Sequence, residues 1–389
     1  MTSNNAPSSP RVFAVIAGGG TAGHMIPALA IAEQLVDRGR SPRSVAFVAS
    51  RRPIDARLLE GTDHPRLLLN VDGLQRSLAP KSVVRSLAAL PKLVVATAIA
   101  TRQLRLWRPR VVVSVGGFAS EPAVRAARAL RIPVVVVSYD QRPGLATRRQ
   151  AKRAAAVAVA FADSKLPGAK HTGAPVRNDV RRLVRNTAAD GDARRRAAEV
   201  FGIDPARRIV VAMGGSLGSQ TINTAVERWA AANARRSDVA LLHLVGDRFI
   251  DEAPHPDATA LRANASAGLQ YVRRASHARM VDVWLLADVV VCRAGASTIA
   301  ELVTVGSAAV VVPWAGSADD HQRSNARWLS QAGAAIVVEE SELESRFAGE
   351  VSRVLDDAVV RERLAAKSYA LGALNRSSAI GSLIEAAAR

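Results

Sequence analysis

The stretch AGGGTAGHMIP sets a histidine, His24, directly behind a turn rich in glycine, Gly18-Gly19-Gly20 and then Gly23. Glycine admits positive φ and lets a ligand approach the backbone closely. A helix starting near Ala22 or His24 would aim free N–H groups and its positive dipole end at an anion. A histidine there should be held neutral, because the dipole disfavours the charged ring, and a neutral imidazole can take a proton from a hydroxyl. The chemistry implied is anion binding beside proton transfer.

Three further turns have similar character. MGGSLGSQTIN brings Ser216 within reach of a phosphate oxygen. DVVVCRAGASTIAEL turns at Gly295, with Ser297 or Thr298 able to cap a helix, and carries Glu301, a carboxylate that can accept from two vicinal hydroxyls as in ribose recognition. The spacing of Thr298 and Glu301 equally fits a capping box. VVPWAGSADDHQRSNARWL leads into a helix near Asp319 or Asp320, and Gln322 offers a donor and an acceptor suited to sugar hydroxyls. The seven histidines are dispersed, so no metal site and no cofactor are expected.

The elements behind these turns follow from hydrophobic patterning. VFAVIA, SVAFVA, RLLLNV, VVVSVG and PVVVVS read as buried strands, each followed by a helix-like stretch. The pattern restarts after a polar segment with RIVVAM, VALLHLVG, LQYVRR, DVVVC, AAVVVPW and AAIVVEE. The fold class expected is α/β, two Rossmann-like doubly wound parallel-sheet domains with an interdomain cleft, joined near Pro175 to Asp190. Gly18-x-Gly20-x-x-Gly23 matches the dinucleotide fingerprint, but SVAFVASRR ends in Arg51-Arg52 where an NAD site needs an acid. That leaves NADP as a rival, which accounts for neither the second glycine turn nor the Glu301 segment.

Composition narrows the classes. A chain of 389 residues suits two domains, and one cysteine forbids an internal disulfide, as expected in a reducing cytoplasm. No apolar run reaches the roughly 18–20 residues of a membrane span. The net charge of +19 invites anionic partners, but with 4% aromatic residues stacking platforms are scarce, and no nucleic acid is expected. The stretch from Leu74 to Arg110 mixes Leu, Val and Trp107 with Lys81, Arg85, Lys92, Arg102, Arg105 and Arg108, a face suited to an anionic membrane surface.

GGGTAGHMIPALAIAEQL, SVGGFASEPAVRAARALRIPVVV, HTGAPVR, GGSLGSQTIN, DVVVCRAGASTIAEL and ADDHQRSNA occur in this order. Together they resemble the MurG family of peptidoglycan glycosyltransferases, from about Val12 to the C-terminal helix. The resemblance implies the GT-B fold and inverting transfer of N-acetylglucosamine from UDP-GlcNAc to the C4 hydroxyl of MurNAc-pentapeptide in lipid I, giving lipid II. It implies a peripheral enzyme at the cytoplasmic face of the cell membrane, serving cell-wall synthesis, cell shape and division. Residues 1–10 are expected as a disordered leader, 11–176 as the acceptor and membrane domain, 177–371 as the UDP-GlcNAc domain, and 372–389 as a helix packing back on the first.

By the same resemblance Thr21, Ala22 and Gly23 border donor sugar and acceptor diphosphate, and His24 is a candidate base or a ligand of the acceptor phosphate. Arg177 reaches the nucleotide end of the donor and Ser216 its diphosphate. His277 contacts uracil through its backbone. Ala296, Ser297, Thr298, Ile299, Ala300 and Glu301 form the nucleotide-binding turn and helix, with Glu301 on ribose, and Gln322 takes the GlcNAc hydroxyls. The chain departs from the family at VVVVSYDQRP: a His-Glu-x-Asn element is usual, and here Val137, Ser138 and Asp140 stand in its place. Asp140 can accept from a sugar hydroxyl or share the base role with His24. The departure also admits a paralogue acting on another acceptor, or a non-catalytic nucleotide-sugar-binding homologue.

Overall fold

Runs of β-branched residues such as Val111–Ser114 and Val134–Ser138 favour extended backbone, and every one of their positions is buried, as in a sheet covered on both faces. A computed structural model describes residues 11–71, 80–183, 188–215, 217–255, 267–317 and 320–389, with side chains outside 80–90 and 188–190. The chain forms two compact units, Met1–Asn178 with Ser377–Arg389, and Asp179–Arg376.

The first unit holds β1 (Ala14–Ala17), β2 (Val45–Ser50), β3 (Arg66–Leu69), β4 (Val111–Ser114), β5 (Val134–Ser138), β6 (Ala156–Val159) and β7 (Ala169–His171). They pair in parallel in the order β3-β2-β1-β4-β5-β6-β7. Helices α1 (Ala22–Asp37), α2 (Pro53–Leu59), α3 (Pro80–Trp107), α4 (Glu121–Ala129) and α5 (Leu145–Ala151) connect them. Ala96, Ala100, Leu104 and Trp107 of α3 share a core with Val112 and Val134.

The second unit carries β8 (Arg208–Met213), β9 (Val239–Leu244), β10 (Gln270–Arg274), β11 (Val289–Cys292), β12 (Ala309–Val311) and β13 (Ile336–Val337), parallel in the order β10-β9-β8-β11-β12-β13. Its helices are α6 (Asn178–Arg181, which begins at the junction), α7 (Ala188–Phe201), α8 (Gln220–Ala232), α9 (Met280–Leu286), α10 (Ala296–Val305), α11 (His321–Gln331), α12 (Ala348–Asp356) and α13 (Ala358–Leu371). Trp229, Val210, Val291 and Phe347 lie in its core.

In each sheet the strand order reverses at one point, between β1 and β4 and between β8 and β11. These are the topological switch points at which open α/β sheets bind ligands. The strands flanking them lead into the glycine turns at residues 18–20, 116–117, 214–218 and 295. The expected strands are present. β6 and β7 are additions that the patterning did not mark: one is alanine-rich, and the other is a short edge strand with two exposed residues.

The last helix, α14 (Ala379–Ala387), belongs to the first unit and buries Ile380, Leu383 and Ile384. Glu385 receives Arg38 at 2.6 Å and Arg40 at 3.0 Å, one on each carboxylate oxygen. Partial burial pushes the Glu385 carboxyl up, but the hydrogen bonds from Arg38 and Arg40 outweigh it and hold the group below its ordinary value of 4.5. A depressed carboxylate stabilises the fold above its ordinary pKa and ceases to do so as pH falls through the folded value. Glu385→Ala should therefore cost on the order of 1 kcal/mol near neutrality, since the pairs are partly exposed. The difference from wild type, read in urea melts, should shrink as pH drops below the carboxylate range.

Candidate active site

The turn after β1 is held by a carboxylate that the sequence reading passed over. Asp55, fully buried in α2, accepts the Gly20 N–H at 3.0 and 2.7 Å on its two oxygens, the Ser50 N–H at 3.0 Å and the Ser50 hydroxyl at 2.5 Å. Arg52 donates to the Gly20 carbonyl at 3.0 Å, and Arg51 to the Leu68 carbonyl at 3.3 Å. The two arginines that left NADP open are thus engaged by backbone oxygens. The Gly20 amide, one of those a dinucleotide phosphate would need, is taken as well.

Helix α1 starts at Ala22 behind the N-cap Thr21, so His24 lies in its first turn. Thr21 Oγ1 is 3.0 Å from His24 Nδ1. The turn after β4 backs the ring: Gly117 has φ +72°, and a Cβ there would lie 3.0 Å from His24 Nε2. Tyr139, at the end of β5, donates its hydroxyl to the Gly23 carbonyl at 2.9 Å. Burial, helped by the charge of Asp140, pushes this phenol well above 10, so it stays a donor at neutral pH. Burial also holds the His24 imidazole below 6.5, with the Asp140 and Asp55 carboxylates pulling it back up. The downward shift thus has burial as its main cause, where the sequence suggests the helix dipole.

His24 and Asp140 line one cavity of about 590 Å³ together with Ser138, Glu121, Arg125 and Arg149. Glu121 pairs with Arg125 at 3.4 Å and accepts from the buried Gln150 amide at 3.2 Å. Gln150 also bonds Ser114 and Ser120, which fixes the loop carrying Gly116 and Gly117. The cavity thus has a base beside a carboxylate at one place and cationic and apolar walls elsewhere.

In the second unit, Ser216 lies outside the described residues. The same loop ends in Ser219, which caps α8 by accepting the Ile222 N–H and receives Arg293 at 2.6 Å. Arg293, itself buried, also pairs with Glu340 at 2.6 Å. Ala296, Ser297, Thr298, Ile299, Ala300 and Glu301 open α10 behind the N-cap Gly295. The capping box that the spacing of Thr298 and Glu301 also fits does not form, because the N-cap is Gly295, three residues before Thr298. Glu301 is buried and receives the Trp284 indole N–H at 2.6 Å.

Asn325 of α11 donates to the Ala294 carbonyl at 3.1 Å, which ties the segment carrying Gln322 to the same strand end. Gln322 Oε1 accepts the Trp314 N–H at 3.0 Å, which turns its amide nitrogen away from that contact as the donor. The His277 ring bonds Asp282 at 3.0 Å and packs on Phe201 with centroids 4.7 Å apart, so its side chain is committed within the unit. Arg177 belongs to the first unit and pairs with Glu33 at 2.5 Å.

A cavity of about 780 Å³ in the second unit lies at the opposite, amino ends of β11 and β12. Its Arg194 and Arg361 are occupied by the carbonyls of Leu286 and Leu355 and, for Arg194, by Asp288. It offers no comparable chemistry. Among the described residues no group of three or more His, Cys, Asp or Glu side chains could hold a metal ion.

Two doubly wound parallel sheets with glycine turns at the carboxyl ends of their strands give this chain the GT-B architecture of glycosyltransferases. Residues 14–159 match the glycosyltransferase family 28 N-terminal domain and residues 209–379 its C-terminal domain, and the chain belongs to that family. It is 34% identical over 386 residues, 99% of this chain and 98% of the relative, to the UDP-N-acetylglucosamine--N-acetylmuramyl-(pentapeptide) pyrophosphoryl-undecaprenol N-acetylglucosamine transferase of Paenarthrobacter aurescens. The enzyme of the same name from Alkalilimnicola ehrlichii is 35% identical over 92% of this chain and 94% of the relative. The crystal structure of Acinetobacter baumannii MurG superposes with a TM-score of 0.66 at 26% identity, covering 92% of this chain and 94% of that one.

The His24 assignment has a direct spectroscopic test. Followed by NMR, its imidazole should titrate below 6.5, and Asp140→Asn should move the midpoint lower still, because a charge that favours the imidazolium is removed.

Proposed function

We propose that this chain transfers N-acetylglucosamine from UDP-GlcNAc to the C4 hydroxyl of MurNAc-pentapeptide in lipid I, with inversion, yielding lipid II. The observation that carries this reading is 34% identity over 99% of the chain to a relative named for that transfer. The neutral His24 beside Asp140 suits the chemistry. His24 takes the proton of the acceptor hydroxyl as its oxygen bonds to the anomeric carbon of the donor. The bond from that carbon to the diphosphate breaks on the opposite face, and its electron pair leaves with UDP. Asp140 stabilises the imidazolium formed, which is the direction in which it already shifts His24. Asp140 is the second candidate for the base itself.

Thr21, Ala22 and Gly23 border the acceptor diphosphate and donor sugar. On the donor side Glu301 accepts from the ribose, flanked by Ala296 to Ala300. Gln322 donates its amide to GlcNAc oxygens, Ser216 and the start of α8 meet the diphosphate, His277 offers its backbone to uracil, and Arg177 serves the nucleotide end. Helix N-termini stabilise the charge that develops on the leaving diphosphate. A second reading, transfer to another acceptor, is favoured by Val137, Ser138 and Asp140 at the positions of the usual His-Glu-x-Asn element.

Lipid I lies in a membrane, and no described helix is long and apolar enough to cross one. Helix α3 supplies the docking face. Val94, Val95, Ile99 and Leu106 are 66%, 59%, 45% and 58% exposed, beside the exposed Lys92, Arg102 and Arg105. Apolar side chains enter the interface while each basic residue adds about 1 kcal/mol on anionic lipid. Such a face supports a peripheral position, and the cytoplasmic leaflet is the side we propose.

His24→Ala should lower kcat by roughly 10²–10⁴-fold, the usual range for general acid–base help. Radiolabelled sugar transfer to a lipid I analogue, with UDP release in parallel, measures it, and near-full turnover would remove His24 from catalysis. The protein should also pellet with anionic vesicles and come off in high salt. Equal binding to neutral vesicles would count against the electrostatic part.

A further inference from the structure

We propose that Asp55 is a positioning residue for His24, fixing the Gly18–Gly23 turn so that the imidazole is held at the cavity where the acceptor hydroxyl reacts. The proposal rests on the functional reading above. Asp55 itself lies under the turn and makes no contact with the reacting atoms. Its partners are all donors: the Gly20 N–H, the Ser50 N–H and the Ser50 hydroxyl. The peptide unit at Gly20 is therefore gripped at both ends of one residue, its N–H by Asp55 and its carbonyl by Arg52.

Geometry makes this grip specific. Gly19 has φ +136°, and a Cβ there would lie 2.4 Å from the near Asp55 oxygen, so only glycine lets the carboxylate reach the turn. One residue beyond Gly20, Thr21 caps α1, accepts the His24 N–H on its carbonyl at 3.1 Å, and sets its hydroxyl against His24 Nδ1. The chain from the gripped peptide to the imidazole is thus three residues of defined conformation. A turn that resembles a dinucleotide cradle spends its central amide on the protein's own carboxylate, and what it holds in place is a side chain.

The charged and titratable groups around His24 come from several elements. Asp55 and Arg52 lie on or beside α2, and Tyr139 and Asp140 at the end of β5. Glu121 and Arg125 come from α4 and Arg149 from α5. Among the carboxylates, Asp140 and Asp55 both favour the protonated ring. Removing Asp55 therefore has two separable effects: the ring loses its fixed position, and it loses a charge that raises its affinity for a proton.

The test uses the full-length protein with UDP-GlcNAc and a lipid I analogue. Asp55→Asn sets an amide N–H₂ against a ring of donors, and Ser50→Ala removes one donor while keeping the carboxylate. Asp55→Asn should lower kcat on the order of tenfold to a hundredfold, the scale of a small misplacement of a catalytic group. KM for UDP-GlcNAc should change by less than kcat, since of the donor only its sugar borders this turn. The His24 imidazole, followed by NMR, should titrate at lower pH than in wild type. Ser50→Ala should lower kcat in the same direction by less, and Asp55→Glu should recover part of the lost rate. A folded Asp55→Asn protein with wild-type kcat, or with an unmoved His24 titration, overturns the proposal. If Asp55→Asn fails to fold, Ser50→Ala decides, and an unchanged kcat there overturns it equally. A wild-type protein that does not turn over this substrate pair sinks the functional reading instead, and the NMR titration still decides whether Asp55 governs His24.

Discussion

A parallel sheet that is covered on both faces has nowhere to put chemistry except at the ends of its strands. Strands β1, β2, β4 and β5 are buried at every position, and so are β9, β11 and β12. Polar groups that meet a ligand must then stand on the turns that leave those strands or on the helices that follow, and be fixed there by something other than the sheet ladder. The molecule meets that demand with buried side chains aimed back at the turns. Asp55 holds the turn after β1, Gln150 the turn after β4, and Arg293 the cap that follows β8.

The sheets were legible because buried parallel strands are short continuous apolar runs, and eleven of them stand out by eye. β6 and β7 escaped because alanine carries little strand signal and an exposed edge strand carries almost none. The turns were legible because glycine marks them. What holds the turns was not. A carboxylate meeting a nucleotide ribose would stand at the end of β2, where this chain has Arg51 and Arg52. The carboxylate is Asp55, one helical turn further on, facing back into the protein. A partner of that kind is set by three-dimensional closure, and no local spacing announces it. Glu301 illustrates the converse: its spacing from Thr298 suggested a cap, while its actual partner, Trp284, lies 17 residues away.

The segment at 137–140 departs from the family pattern, and its contacts are particular to this chain. Val137 and Ser138 are buried in the last turn of β5, and Tyr139 ties that strand end to the first turn of α1. The carboxylate in this segment is Asp140, which stands in the bend that follows β5, at the position of the usual Asn. Asp140 acts on His24 by charge across the cavity. The tyrosine adds a fixed hydrogen bond, so the strand end and the helix start move together.

The chain leaves the first unit at Asn178 and comes back to it at Ser377, where α14 inserts Ile380, Leu383 and Ile384 and anchors Glu385 on Arg38 and Arg40. Because a ribosome delivers residues in order, the first unit emerges early yet lacks its closing helix until Ala379–Ala387 are made. Throughout that interval the apolar seat for α14 is open to solvent and to chaperones, while the second unit, continuous in sequence, can complete itself. Loss of α14 is therefore an injury to the amino-terminal unit.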